Sequence, residues 1–238
     1  MTEKEWLNQN SIEHLLGFVR QMASRRKLRL FAVACIRNLL DLPFDQASRI
    51  ALEIAEKYAD GRATLGALRL LHISSENAKL DALLDASTRL DTLAVRILRV
   101  AQAITREEFD ERSAIATLDA LANVLKLSAI PYKLWGTAAG DEAALIPVEC
   151  ERSKQLHFFR DIFGNPFRPV SINPFWMTPT IKALAQFVYD DRAFNQMPLL
   201  AAELEKAWCK NEEILGHCRG PGPHVRGCWA LDLVLGKG

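Results

Sequence analysis

Apolar residues recur along this chain at i, i+3 and i+4, the spacing of one helix face, and alternation of period two is absent. Ser11-Ile12-Glu13-His14 opens a helix predicted to run to about residue 23. Ser24 caps a second one, in which Leu28, Phe31, Ala32, Cys35, Ile36 and Leu39 form a continuous stripe, and Asp41-Leu42-Pro43 ends it. Residues 44–59 repeat the pattern and stop at Asp60-Gly61, a good C-cap. A short helix over 64–72 and a long one over 76–103 are predicted next. Thr105-Arg106-Glu107-Glu108 reads as a capping box that starts a helix to about residue 127. Ile130-Pro131 ends that run.

Proline then changes the picture. Residues 1–130 contain only Pro43, and residues 131–238 contain the other nine prolines. The shift divides the chain into a regular helical part, 1–130, and a part with shaped loops, 131–238, with a loose boundary near 130–147. Residues 131–147 read as a loop with a short helix, followed by a helix over 148–163. Three prolines forbid a regular helix in the segment 163–176, whose aromatic residues are expected to pack rather than stay wet. Thr178-Pro179 pairs an N-cap with a proline at the first helical position and starts a helix to about residue 190. Pro198 starts another, Asn211 caps a short one, and Trp229 to Leu235 is a final helix or apolar turn. The predicted fold is all-α, an antiparallel helical array of about ten helices.

Composition narrows the class of protein. The chain has 238 residues, 49% apolar and 25% charged, with a net charge of +1. That suits one large soluble domain or two small ones, and it gives no global field toward nucleic acid or an anionic membrane. The N-terminus lacks the basic start and apolar run of a signal peptide, and no apolar run approaches the ~20 residues of a membrane helix. A cytoplasmic protein with no membrane partner is expected. Cysteines at 35, 150, 209, 218 and 228 make an odd set, which favours reduced thiols or metal ligands over a disulfide framework.

Candidate chemistry concentrates at His217-Cys218-Arg219-Gly220-Pro221-Gly222-Pro223-His224-Val225-Arg226-Gly227-Cys228-Trp229. Cys209, His217, His224 and Cys228 are candidate ligands for zinc, with Cys218 an alternative to His217. Zinc takes four soft or imidazole donors, and short loops between helices can converge them. The spacing matches no standard finger, because no Cys-x2-Cys pair is present. The alternative is that the cysteines are core residues and the histidines make hydrogen bonds. Arg219 and Arg226 flank the Gly-Pro-Gly-Pro turn and are a candidate anion-binding pair; the alternative is that they bond loop carbonyls or a nearby carboxylate. Arg20, Arg25, Arg26, Lys27 and Arg29, on the basic helix 20–37, could meet nucleic-acid phosphates. They equally suit a solvated helix start paired with Asp or Glu. Cys150 and His157 lie two helical turns apart, about 10 Å, too far for a nucleophile and its base.

Several strings together resemble an uncharacterised bacterial family: Glu5-Trp6-Leu7, the run Arg26 to Cys35, Ala55 to Gly61, Arg160-Asp161-Ile162-Phe163-Gly164-Asn165-Pro166-Phe167-Arg168-Pro169, and Gly220 to Trp229. The resemblance covers both ends of the chain and implies a shared fold. It carries no catalytic assignment.

No complete catalytic constellation is visible. The expected function is therefore that of an interaction or adaptor protein whose helical surface binds another protein. The alternatives are a metal- or anion-binding sensor or enzyme built on residues 209–229, and a nucleic-acid-associated module using the basic helix. In every case the Gly-Pro-Gly-Pro turn is expected to act as a rigid reversal that returns the last apolar segment to the helical body.

Overall fold

A computed structural model describes residues 1–39, 46–73, 100, 103–129 and 138–237, and among these it is all-α, with no strand. The predicted helix over 76–103 falls almost wholly outside the described residues. None of the described helices is long and apolar enough to cross a membrane. The chain forms two compact units, Glu13–Gln155 and Met1–Ile12 with Leu156–Gly238. The sequence places a boundary near 130–147, whereas compactness places it at 155/156 and joins the first twelve residues to the C-terminal unit.

The unit Glu13–Gln155 is organised by the helix Arg25–Arg37. Ser24 caps it, its hydroxyl accepting from the Lys27 amide at 3.3 Å. Every residue from Leu28 to Ile36 is buried, and the helix packs against Gln46–Ala59 and Glu111–Ala129. Arg29 lies inside this packing, only 2% exposed. Its guanidinium donates to the carbonyls of Ile104 (2.6 Å), Arg106 (2.7 Å) and Glu107 (3.1 Å), between the rings of Tyr58 and Phe109. Burial lowers its pKa to about 10, so it stays charged at neutral pH.

These bonds explain a departure from the sequence. The carbonyls after Ile104 are turned toward Arg29, so no helix starts at Thr105. Thr105 is buried instead, with its hydroxyl 3.1 Å from His72 Nδ1. The helix begins at Glu111, capped by Asp110, which accepts from the Ser113 amide and hydroxyl at 2.9 and 2.8 Å. Those hydrogen bonds hold the Asp110 carboxyl below its ordinary pKa. The remaining arginines of the basic helix have carboxylate partners. Arg26 meets Asp60 at 3.0 Å, Arg20 meets Glu111 at 3.4 Å, Arg25 meets Glu108 at 3.9 Å and Arg37 meets Glu56 at 2.8 Å.

The helix predicted to start near 148 starts ten residues earlier, as Ala138–Phe163. The alanine-rich sequence ahead of Pro147 favours helix strongly enough to carry the backbone through a proline.

In the C-terminal unit, Pro179–Asp190, Met197–Lys206, Glu212–Arg219 and Trp229–Leu235 surround a core that includes Ile181, Val188, Tyr189, Leu200, Ile214 and Leu231. Thr178 and Asn211 act as the expected N-caps, accepting from Ile181 and Ile214. The helix Glu3–Asn8 buries Trp6 against Phe159, with ring centroids 5.6 Å apart. The loop aromatics do not all pack. Phe175 is 90% and Phe167 37% exposed, and Trp208, just past the helix Met197–Lys206, is 81% exposed.

One buried carboxylate in the N-terminal unit works against stability. Glu151 is 3% exposed and accepts from Asn38 Nδ2 at 2.6 Å, and burial raises its pKa despite that bond. A raised folded pKa means the ionised form destabilises the fold above the unfolded pKa. Glu151→Gln keeps an acceptor for Asn38 and removes the charge. Thermal melts should show the variant more stable than wild type at pH 7 to 8. The gain should vanish below about pH 4, where the wild-type side chain is protonated in both states. A variant less stable at neutral pH would contradict this account.

Candidate metal centre

Three segments of the C-terminal unit bring four different donors together. Asp161 stands near the end of the helix Ala138–Phe163. His217 occupies the last turn of Glu212–Arg219, His224 follows the Gly-Pro-Gly-Pro turn, and Cys228 is the residue before Trp229–Leu235. Asp161, His217, His224 and Cys228 each offer one ligand atom, and these atoms lie within 4.8 Å of one another. Of the four sequence-predicted zinc ligands, three are in the group. Cys209 is buried outside it, and Cys218 is a fully buried core residue. Asp161 was not foreseen.

Asp161 is the hub. Its Oδ1 lies 2.7 Å from His224 Nδ1 and 3.1 Å from His217 Nε2, and its Oδ2 accepts from the Val225 amide at 2.9 Å. His217 Nε2 is also 3.1 Å from Cys228 Sγ. The carboxyl is 5% exposed. Burial pushes its pKa up, but the hydrogen bonds from His217 and His224 outweigh burial and hold it below the ordinary carboxylate range. Burial, reinforced by Asp161, pushes the Cys228 thiol well above its usual pKa. Such a thiol is no free nucleophile. It is an effective ligand once a cation displaces its proton.

Trp229 defines the proton on His217. Its indole Nε1–H donates to His217 Nδ1 at 3.1 Å, so the neutral ring carries its own proton on Nε2, facing Asp161 and Cys228. The indole itself is seated against Gly164. A Cβ there would come within 3.0 Å of Trp229 Cγ, at a backbone φ of +64°. Gly222 plays the matching part under His224, with φ +72° and a virtual Cβ 3.0 Å from the His224 amide nitrogen.

The two arginines of the loop are engaged elsewhere. Arg219 pairs with Glu205. Arg226 donates to the carbonyls of Tyr189 (3.1 Å) and Asp190 (2.8 Å), closing the end of the helix Pro179–Asp190. Cys150 is exposed and makes no part of the centre.

The signal for Asp161 was present in the sequence, though not as a ligand spacing. It lies three residues after Phe158 and one before Ile162, both buried, so a carboxylate interrupts a core-facing stripe. It also belongs to the string Arg160 to Pro169, which meets the string Gly220 to Trp229 here; the latter supplies His224 and Cys228. Neither a protein-family model, nor a curated protein, nor a solved structure matches the chain.

The glycines provide a graded test of this geometry. Gly236 also has φ +64° but has nothing within 4 Å of a virtual Cβ. Gly236→Ala should cost only the left-handed backbone penalty, about 1–2 kcal/mol. Gly164→Ala and Gly222→Ala should each cost more in denaturant titrations, because a contact must also give way. Equal losses at all three positions would refute the close approaches.

Proposed function

We propose that the C-terminal unit is a zinc-binding helical domain, in which a divalent ion is held by Asp161 Oδ1, His217 Nε2, His224 Nδ1 and Cys228 Sγ. The observation that carries this reading is the convergence of four unlike donors, drawn from segments up to 67 residues apart, on one largely buried point. Three further features support it. A thiolate and two imidazoles favour zinc over the oxygen-seeking magnesium and calcium ions. One carboxylate and one thiolate neutralise a dication, so the loaded centre buries no net charge. The contacts of 2.7 and 3.1 Å need open by only about 0.7 and 0.3 Å to reach the ~3.4 Å donor spacing of tetrahedral zinc.

Four protein ligands close the coordination sphere, which suits a structural ion rather than a catalytic one. Its role would be to lock the turn Gly220–Pro223 and the final helix onto the end of Ala138–Phe163. Relatives carrying both strings would share the centre. Zinc on His217 Nε2 requires the ring proton to move to Nδ1, where it opposes the Trp229 indole N–H. The indole therefore sets a threshold against ion entry.

Elemental analysis of protein from zinc-supplemented cells should find one zinc per chain. Asp161→Asn and Cys228→Ser should lose it, and Cys209→Ser should keep it. Zinc returned to stripped protein at a hundred times Kd should stabilise the fold by about 2.7 kcal/mol. Trp229→Phe should bind zinc several-fold more tightly. A wild-type chain free of zinc, with no thermal shift on addition, would remove the reading.

A second reading, partner binding, draws on Trp208, which is 81% exposed and held at φ +66°, and on Phe175, 90% exposed. Large aromatics left in water are the usual anchors of interfaces. If Trp208 anchors a protein partner, Trp208→Ser should abolish co-purification without lowering the melting temperature. Retained partner binding in that variant would exclude Trp208 as an anchor.

A further inference from the structure

A cavity of about 320 Å³ opens beside the candidate metal centre, lined by His157, Arg160, Asp161, His217, His224 and the turn Gly220–Pro223. Two nitrogen atoms of its lining residues are buried without any hydrogen-bond partner: Arg160 Nε and His224 Nε2. The His224 side chain is only 7% exposed, so its orphan nitrogen has no bulk water to serve it.

Arg160 adds a charge that makes no direct ion pair among the described residues, although the carboxylate of Asp161, engaged by His217, His224 and Val225, also lines the cavity. Its Nη2 donates to the carbonyls of Leu7 (3.1 Å) and Gln9 (3.0 Å), and among the described residues no carboxylate pairs with it. The contrast with Arg168 is direct, since that guanidinium meets both Glu3 and Glu213. A half-buried guanidinium held only by neutral carbonyls, with a third donor idle, is built to accept an anion. His157 is exposed at the rim of the same cavity and carries another ring nitrogen.

We propose that this cavity binds a small oxyanion, a carboxylate or a phosphate, between Arg160 and His224, with His157 at the mouth. The inference rests on the zinc reading for its full strength. A cation on His224 Nδ1 leaves that ring's proton on Nε2, so both orphan atoms become donors with the same need. The oxyanion supplies the acceptors, and a small side-chain rotation uncovers the two nitrogens. The anion then serves as the outer partner that a metal-bound imidazole requires for its second nitrogen. In this arrangement anion and ion bind cooperatively, each strengthening the other by the same factor.

The test uses the full chain, first assayed for zinc, then titrated calorimetrically with inorganic phosphate and separately with acetate. Zinc-loaded protein should bind at least one of the two, and removing the zinc should weaken binding about tenfold. Arg160→Lys keeps the charge and loses Nε, and it should lower anion affinity at least tenfold while leaving zinc stoichiometry at one. His157→Ala, at an exposed position, should lower it several-fold without affecting the fold. If the chain carries no zinc, the metal reading fails by itself. Phosphate binding to that chain that is lost in Arg160→Lys would still uphold the cavity. No heat with either anion at 10 mM, or binding indifferent to both substitutions, overturns the proposal.

Discussion

The C-terminal unit depends on how a buried carboxylate is satisfied. Asp161 is ionised in the interior, and an isolated charge there would cost more than the unit could sustain. It is tolerated because three donors converge on its two oxygens: the Val225 amide, His224 and His217. That requirement dictates the loop. For His224 and Val225 to reach one carboxylate, the chain must reverse within the four residues after Arg219. The left-handed backbone at Gly222, tight against the His224 amide, accomplishes this. Cys228 and Trp229 then fall into place behind His217, and the close approach of Gly164 fixes the indole.

The N-terminal unit solves a similar problem with the opposite sign. Arg29 is as buried as Asp161 and also ties together segments far apart in sequence. The two differ in what their partners can do. Arg29 is surrounded by main-chain carbonyls and aromatic faces, which satisfy a cation and have no further chemistry. Asp161 is surrounded by imidazoles and a thiol, each of which can exchange a proton for a metal ion. Both units use a buried charge as a staple, and the one in the C-terminal unit is surrounded by groups that could hold a metal ion.

Much of this fold was legible because helix periodicity and capping are local. The stripe from Leu28 to Leu39 and the caps at Ser24, Thr178 and Asn211 depend on residues within one or two turns. The failures share a cause. Thr105 offered a sound capping box, yet Arg29, some seventy-five residues away, takes the carbonyls that would have led into that helix. Hydrophobicity predicts that the aromatics of 163–176 pack, yet Phe175 stays exposed, because nothing local decides whether a neighbour exists to cover it. At the site, His217, His224 and Cys228 were found because they are close in sequence, and Cys209 was added for the same reason. Asp161 was missed because its proximity is created by folding. Three-dimensional convergence replaced a sequence neighbour with a distant carboxylate.

The polarity of the hydrogen bonds separates ligation from catalysis at this centre. A catalytic cysteine needs a thiolate near solvent and a base whose far nitrogen is steadied by an acceptor. Cys228 has no exposed surface, its thiol is pushed toward the protonated form, and the far nitrogen of His217 accepts a hydrogen bond from Trp229 instead of donating one. Each of these opposes proton transfer from sulfur to His217. The same features are compatible with a metal, which supplies the positive charge that burial withholds from the thiolate. Only the indole contact resists it, and that bond is a single neutral one, worth about 1 kcal/mol against the 10 kcal/mol or more of a structural zinc site. The network therefore permits two proton arrangements. Trp229 holds His217 as a donor to Asp161 and Cys228; a zinc ion held by Asp161, His217, His224 and Cys228 would need the His217 proton on Nδ1 and would displace the indole contact.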